Sequence, residues 1–208
     1  MKSHNILTGP FGTNTYFVWD ENTKEAAIID PAADSEFIAS KIDELEIIPK
    51  QIWLTHGHFD HVFATGKLQE KYNIPVFMNE KDEELFNIFY DQAIAFGFSA
   101  DDYKDISEIT YLNDGDTFKL ANETIKVLQA PGHTKGSLCY ITSCGAFVGD
   151  VIFHLSIGRT DLYGGNYSDL ITSIRTKILT LPENTILYSG HGPKTTVKTE
   201  KKANPFLV

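Results

Sequence analysis

Two cysteines in 208 residues are too few for a disulfide framework. Cys139 and Cys144 read as small buried thiols near a hairpin, and a reducing, cytoplasmic home is expected. Long hydrophobic runs are missing as well. No stretch of about twenty apolar residues occurs, so no membrane-spanning helix is expected. The opening Met1-Lys2-Ser3-His4-Asn5 leads into no apolar signal-peptide region. Basic residues are scarce: 18 lysines and arginines stand against 28 aspartates and glutamates, a net charge of −10. That balance argues against a nucleic-acid backbone as partner, because phosphate binding needs a basic face. It leaves room for a small anionic substrate. With no repeat, low-complexity tract or linker, one domain over residues 1–208 is expected.

The remaining composition is that of a packed α/β protein: 42% of residues are hydrophobic and 15 are glycine. Paired strands are predicted at Tyr16–Trp19 and Ala26–Asp30, around a turn at Glu21-Asn22-Thr23. A helix follows, capped by Asp34 or Ser35, with Ile38, Ile42 and Leu45 on one face. Pro49 closes that unit before a short buried strand, Ile52–Leu54. A second helix is predicted from about His61 to Tyr72, then a strand at Val76–Met78. Short strands dominate from Ile109 to Val148, at Ile109–Leu112, Thr117–Leu120, Thr124–Gln129, Ser137–Thr142 and Ala146–Val148. A last helix, capped by Ser168, runs to Leu179, and Ile186–Tyr188 is the final strand. Residues 80–108 mix acids with Phe86, Phe89, Tyr90, Phe96, Phe98 and Tyr103. They form either amphipathic surface helices or a cap whose aromatics line a pocket.

The most informative stretch is Thr55-His56-Gly57-His58-Phe59-Asp60-His61. Imidazole and carboxylate side chains bury poorly unless something satisfies them, and together they suit borderline divalent metals, zinc above all. Three further candidates share the same context. His133 follows the strand ending at Gln129, Asp150 follows Val148-Gly149, and His191 follows the strand ending at Tyr188. Four strands thus each end in a glycine-flanked ligand type, where α/β proteins place their chemistry. His4 and His154 fall outside the pattern: His4 is expected solvated near a loose terminus, and His154 structural.

The series His-x-His-x-Asp-His, then His, Asp and His, resembles the ligand series of the metallo-β-lactamase superfamily, in order and over nearly the whole chain. The resemblance implies a four-layer αββα sandwich, two central sheets flanked by helices. It implies that His56, His58 and His133 hold one metal, that Asp60, His61 and His191 hold a second, and that Asp150 bridges both. Two Zn2+ per chain are expected, with iron or manganese as alternatives. Two dications, two carboxylates and a hydroxide sum formally to about +1, so such a site is positive even inside an acidic protein. A hydroxide shared by the metals would attack a carbonyl carbon, with Asp60 also placed to orient it. Thr55 and Thr134 are candidates to fix imidazole tautomers, or are plain turn hydroxyls.

The segment Ser156-Ile157-Gly158-Arg159-Thr160-Asp161-Leu162 narrows the resemblance. It is similar to the Gly-Arg-Thr/Ser-Asp signature of short glyoxalase II-like hydrolases and of persulfide dioxygenases. Arg159, one of two arginines, reads either as an anchor for a substrate carboxylate or, preferably, as a brace paired with Asp161. Lys135 and Lys194, beside ligand turns, read either as further basic contacts for substrate or, preferably, as solvated lysines. The longer glyoxalase II enzymes add a helical glutathione-binding domain that the short tail after His191 does not supply. True zinc β-lactamases, diiron flavoproteins and RNA-processing members fit less well, by their ligand changes or added segments. The resemblance therefore implies a binuclear metal-dependent hydrolase cleaving a small, anionic thioester of the hydroxyacyl-glutathione type. The alternatives are a persulfide dioxygenase with one iron on His56, His133 and Asp150, and a lactone or other ester hydrolase. A metal-stabilised binding domain is the non-enzymatic alternative.

Overall fold

A computed structural model describes residues 1–86 and 89–208, with Phe86 and Phe89 described by backbone alone. Among the aromatic residues expected across 80–108, those two side chains lie outside the description. Two six-stranded sheets form the centre. The first holds β1 (Lys2–Thr8), β2 (Thr13–Trp19), β3 (Glu25–Ile29), β4 (Ile48–Trp53), β5 (Val76–Met78) and β6 (Ile109–Tyr111), side by side in that order. The first three strands are antiparallel neighbours, and β3 to β6 run parallel.

The second sheet holds β7 (Thr117–Leu120), β8 (Glu123–Gln129), β9 (Leu138–Thr142) and β10 (Gly145–Gly149). A hairpin of β11 (Ile152–Phe153) and β12 (Ser156–Ile157) follows. The sheet is completed by β13 (Ile186–Ser189), parallel to β10, and β14 (Thr195–Thr196) at its edge.

Strand periodicity explains the layers. In β3, Ala26 and Ile28 face one core, while Ala27 and Ile29 face the other. The inner core joins Val18, Ile29 and Trp53 of the first sheet to Ile125, Tyr140 and Phe147 of the second. Outside the first sheet, Ile38 and Ile42 of α1 (Ser35–Glu44) pack down, followed along the chain by α2 (Phe59–Val62) and by Leu68 of α3 (Thr65–Tyr72). The charged segment contributes the short helices α4 (Glu83–Phe86) and α5 (Phe89–Ala95). Outside the second sheet lie α6 (Tyr167–Ser173), continued by a wider π-type turn through Ile178, and α7 (Val197–Ala203). The result is an αββα sandwich, as the ligand series implied. No helix among the described residues is long and apolar enough to cross a membrane.

Several local expectations are corrected. The N-terminus is not loose: β1 pairs with β2 along its length, although His4 is exposed on it. Pro49 lies inside β4, where the register with β3 shifts and a missing N–H is tolerated. The second helix breaks at Phe63-Ala64, because the Ala64 amide donates to the Pro31 carbonyl instead of to its own helix. Asn166, not Ser168, caps α6, its side chain accepting from the Asp169 amide. Neither Asp34 nor Ser35 caps α1 with its own side chain; the Asp102 carboxylate accepts from both amides instead.

Candidate metal centre

Strand ends deliver the site. β4 leads into His56, His58, Asp60 and His61; β8 into His133; β10 into Asp150; β13 into His191. Parallel pairing of β10 with β13 brings two of these turns together, and the Gly190 amide donates to the Gly149 carbonyl. Glycine is needed at position 190. A Cβ there would lie 2.3 Å from Asp150 Oδ1 and 2.5 Å from His61 Cε1.

Six of the seven candidate ligands converge in two groups of three, and the seventh, Asp150, lies between them. His56, His58 and His133 present ligand atoms within 4.8 Å of one another, and so do Asp60, His61 and His191. His58 Nδ1 lies 3.0 Å from His133 Nε2, and His61 Nε2 lies 3.2 Å from His191 Nε2. Asp150 stands between the groups. Its Oδ2 is 3.7 Å from His133 Nε2 on one side and 3.7 Å from His191 Nε2 on the other. His56 Nε2 and Asp150 Oδ1 are buried without a hydrogen-bond partner. A buried polar atom left in that state costs about 1–3 kcal/mol, which a shared cation would offset. The donor set, histidine nitrogens with carboxylate oxygens around a common space, is one that zinc or iron accepts.

Behind the ligands are groups that hold their orientation. Asp30, at the end of β3, accepts from the Thr55 amide at 2.7 Å and from Thr55 Oγ1 at 2.6 Å. The same carboxylate lies 3.0 Å from His61 Nδ1. Asp30 is thus engaged by three partners, although its oxygens also approach His56. Thr55 Oγ1 sits 3.0 Å from His56 Nδ1, and the Arg159 carbonyl oxygen 2.8 Å from His133 Nδ1. Thr134 does not touch an imidazole. Its hydroxyl donates to Asp82 at 2.7 Å, because the loop turns it toward the protein interior. Asp82, 1% exposed, also accepts from the Gly57 amide at 2.9 Å and the Gly136 amide at 2.6 Å. One carboxylate therefore ties the His56–His58 loop to the His133 loop. Gly136 must be a glycine, since its Cβ would fall 2.6 Å from Asp82 Oδ1.

Electrostatics divide the histidines. Burial pushes His56 well below its ordinary value, and lowers His58 and His133 to about 4. Those three present neutral imidazoles at neutral pH. Burial would lower His61 too, but Asp150, Asp60 and Asp30 outweigh it and raise it to about 10. Burial would raise the Asp60 carboxyl, yet His61, His191 and His58 hold it well below the usual carboxylate range. Burial raises Asp82, and its three donors offset this only in part.

The site opens into a cleft of about 680 Å³ that reaches Phe11, Phe96, Ile157 and Tyr163. From the 80–108 segment, Leu85, Gln92 and Phe96 line it, whereas Phe98 and Tyr103 pack on Phe63. That segment is part wall and part ordinary packing. Arg159 also reaches the cleft, but its guanidinium makes two 2.8 Å bonds to Asp161. The Lys135 ammonium lies 5.2 Å above the Tyr163 ring, and Lys194 is exposed and outside the cleft lining. His154 is turned away, 3.7 Å from Glu200. The two cysteines are unpaired. Asp30 and Asp82 escaped the sequence reading. The signal for Asp30 was its position after a buried strand, as for the four ligand turns.

The chain is similar to known proteins over nearly its whole length. Residues 8–191 match the family model of the metallo-β-lactamase superfamily. The hydroxyacylglutathione hydrolase GloC of Haemophilus influenzae is 40% identical over 200 residues, covering 95% of this chain and 93% of that protein. The probable metallo-hydrolase YqgX of Bacillus subtilis is 37% identical, covering 100% and 98%. Among solved structures, the BLEG-1 B3 metallo-β-lactamase is similar with a TM-score of 0.89 at 36% identity, covering 100% of both chains. TTHA1623 in a di-iron-bound form follows with 0.87 at 32%, covering 98% of this chain and 100% of that one.

Proposed function

Because the chain belongs to the metallo-β-lactamase superfamily, we propose that it is a metal-dependent hydrolase that cleaves a thioester of the hydroxyacyl-glutathione type. The observation that carries the reading is the pair of three-residue ligand groups with Asp150 between them. The likeness to hydroxyacylglutathione hydrolase GloC supports the choice of substrate. His56, His58 and His133 would hold one cation, Asp60, His61 and His191 a second, and Asp150 would touch both. Zinc is the preferred ion, and the di-iron-bound relative makes iron the first alternative.

Divalent cations held there would supply acidity to a water near neutral pH and an electron-poor partner for a carbonyl oxygen. The chain supplies the positioning. Asp30, the Arg159 carbonyl and Thr55 engage Nδ1 of His61, His133 and His56, so that each Nε2 faces the common space. Asp60, kept ionised, offers an acceptor oxygen that aligns a water for attack. The cleft beyond Asp60 takes up the substrate and limits bulk water around the reacting carbonyl.

Protein purified without chelator is expected to carry close to two metal ions per chain and to hydrolyse S-lactoylglutathione. Elemental analysis and a thioester assay test both. One iron per chain, with oxygen uptake on glutathione persulfide and no thioester turnover, would replace the reading by the dioxygenase built on His56, His133 and Asp150. Turnover confined to a lactone or a β-lactam would replace the substrate alone.

A further inference from the structure

We propose that the cleft carries an aromatic subsite, formed by Phe11, Phe59 and Phe96, which takes an apolar acyl substituent, so that aryl and longer alkyl thioesters are better substrates than small hydroxyacyl ones. The inference rests on the thioester reading and specifies its acyl group. The three rings come from distant parts of the chain: the turn between β1 and β2, the first residue of α2, and the segment after α5. The Phe59 and Phe96 rings are nearly parallel, 9° apart with centroids at 5.7 Å. Phe11 stands 5.5 Å from Phe96 and 5.9 Å from Phe59. Behind them Phe98, buried on Phe63, makes an edge contact with Phe59 at 5.4 Å, so the wall has a packed backing.

The front of this wall is open. Phe96 is 56% exposed and Phe11 45% exposed, and both line the cleft together with Phe59, whose neighbours in sequence are His58 and Asp60. Large aromatic side chains left open side by side are unfavourable in water unless a ligand covers them. Here they adjoin the ligand groups, so a substrate whose carbonyl reaches the site brings its acyl group against them.

The charges around the cleft point the same way. Arg159 is held by Asp161, and Lys135 lies over Tyr163 in a side depression shared with Lys81, Glu80, Glu83 and Glu84. Arg159 is the one lysine or arginine among the described residues lining the cleft, and Asp161 occupies its guanidinium, while Asp60 and Asp150 line the same cleft. An anionic acyl group therefore finds no free lysine or arginine in the cleft, whereas a ring or alkyl chain finds an apolar face.

The decisive comparison uses the metal-loaded protein with S-mandeloylglutathione and S-lactoylglutathione, which share carrier and α-hydroxyl and differ by phenyl against methyl. The ratio of kcat/KM is expected to favour the mandeloyl ester by about tenfold or more, the scale set by burying several carbons in a pocket. Phe96→Ala should bring that ratio toward unity, and Phe11→Ala should lower it from a separate element. Calorimetry with two thioethers that cannot be hydrolysed, S-(2-phenylethyl)glutathione and S-ethylglutathione, should show the same preference and its loss in Phe96→Ala. Equal ratios in the unaltered protein, or a preference that survives both substitutions, would overturn the subsite. Thioester turnover without preference removes the subsite and keeps the reaction. Thioether preference without thioester turnover keeps the subsite and removes the reaction.

Discussion

Asp82 gives the sharpest test of how the site is held. It is buried, lies outside the ligand series, and accepts three hydrogen bonds, two from loop amides and one from a hydroxyl. In Asp82→Ala the amides of Gly57 and Gly136 lose their acceptor inside the protein. Each orphaned donor costs about 1–3 kcal/mol, so the substitution is expected to remove about 3–5 kcal/mol of stability. Asp82→Asn keeps one acceptor oxygen but turns an NH2 toward a donor, and should cost about 1–3 kcal/mol. Thr134 can absorb part of the change by donating to Ser137, 2.7 Å away. Both variants also loosen the loops carrying His58 and His133, so affinity for the first cation should fall about 10–100-fold, the usual effect of losing a group behind a ligand. Urea unfolding of the metal-free protein measures the first quantity, and competition with a chromogenic chelator the second. An alanine variant that unfolds within about 1 kcal/mol of the parent and keeps its metal affinity would refute this account of the clamp.

Other outcomes follow from the same geometry. His61, raised to about 10, is protonated in the metal-free protein at pH 7.5, whereas His58 and His133, lowered to about 4, are neutral. Filling the Asp60, His61 and His191 group should therefore release about one proton per chain, read by calorimetry in buffers of different ionisation heat. As pH falls, that group should lose its metal before the three-histidine group does. Replacing His56 or Asp60 by alanine should lower thioester turnover by at least about 100-fold, beyond the usual loss from a supporting residue; an undiminished rate would count against the ligand assignment. Gly190→Ala should reduce metal content while leaving the circular dichroism spectrum unchanged, because its Cβ meets Asp150 and His61 rather than the core.

Strand alternation and ligand turns could be read directly from the chain. A residue such as Ile29 announces its strand by the apolar run it sits in, and His133 announces its turn by Pro131-Gly132 before it and Gly136 after it. Short-range patterns of this kind reflect constraints acting within a few residues, namely side-chain periodicity and turn sterics. The helix from 61 to 72 was legible in outline, but its break was not, because the competing acceptor is the carbonyl of Pro31. The N-terminal strand was hidden for a related reason: the exposed side chains of Lys2 and His4 show little alternation, and β1 is held by pairing with β2.

Asp82 looks like any other acid in the chain, and Asp30 shows only that it follows a buried strand. Their roles arise only when β3 meets β4, and when the segment after β5 meets loops 54 residues further on, at Gly136, and 25 residues back, at Gly57. The same holds for Phe11 and Phe96, which become one wall by folding. Local order therefore specifies which residues are able to bind a metal and roughly where the strands lie. Long-range packing selects which buried carboxylate steadies which imidazole, and which surface the substrate meets, because those contacts depend on distances that no stretch of neighbouring residues encodes.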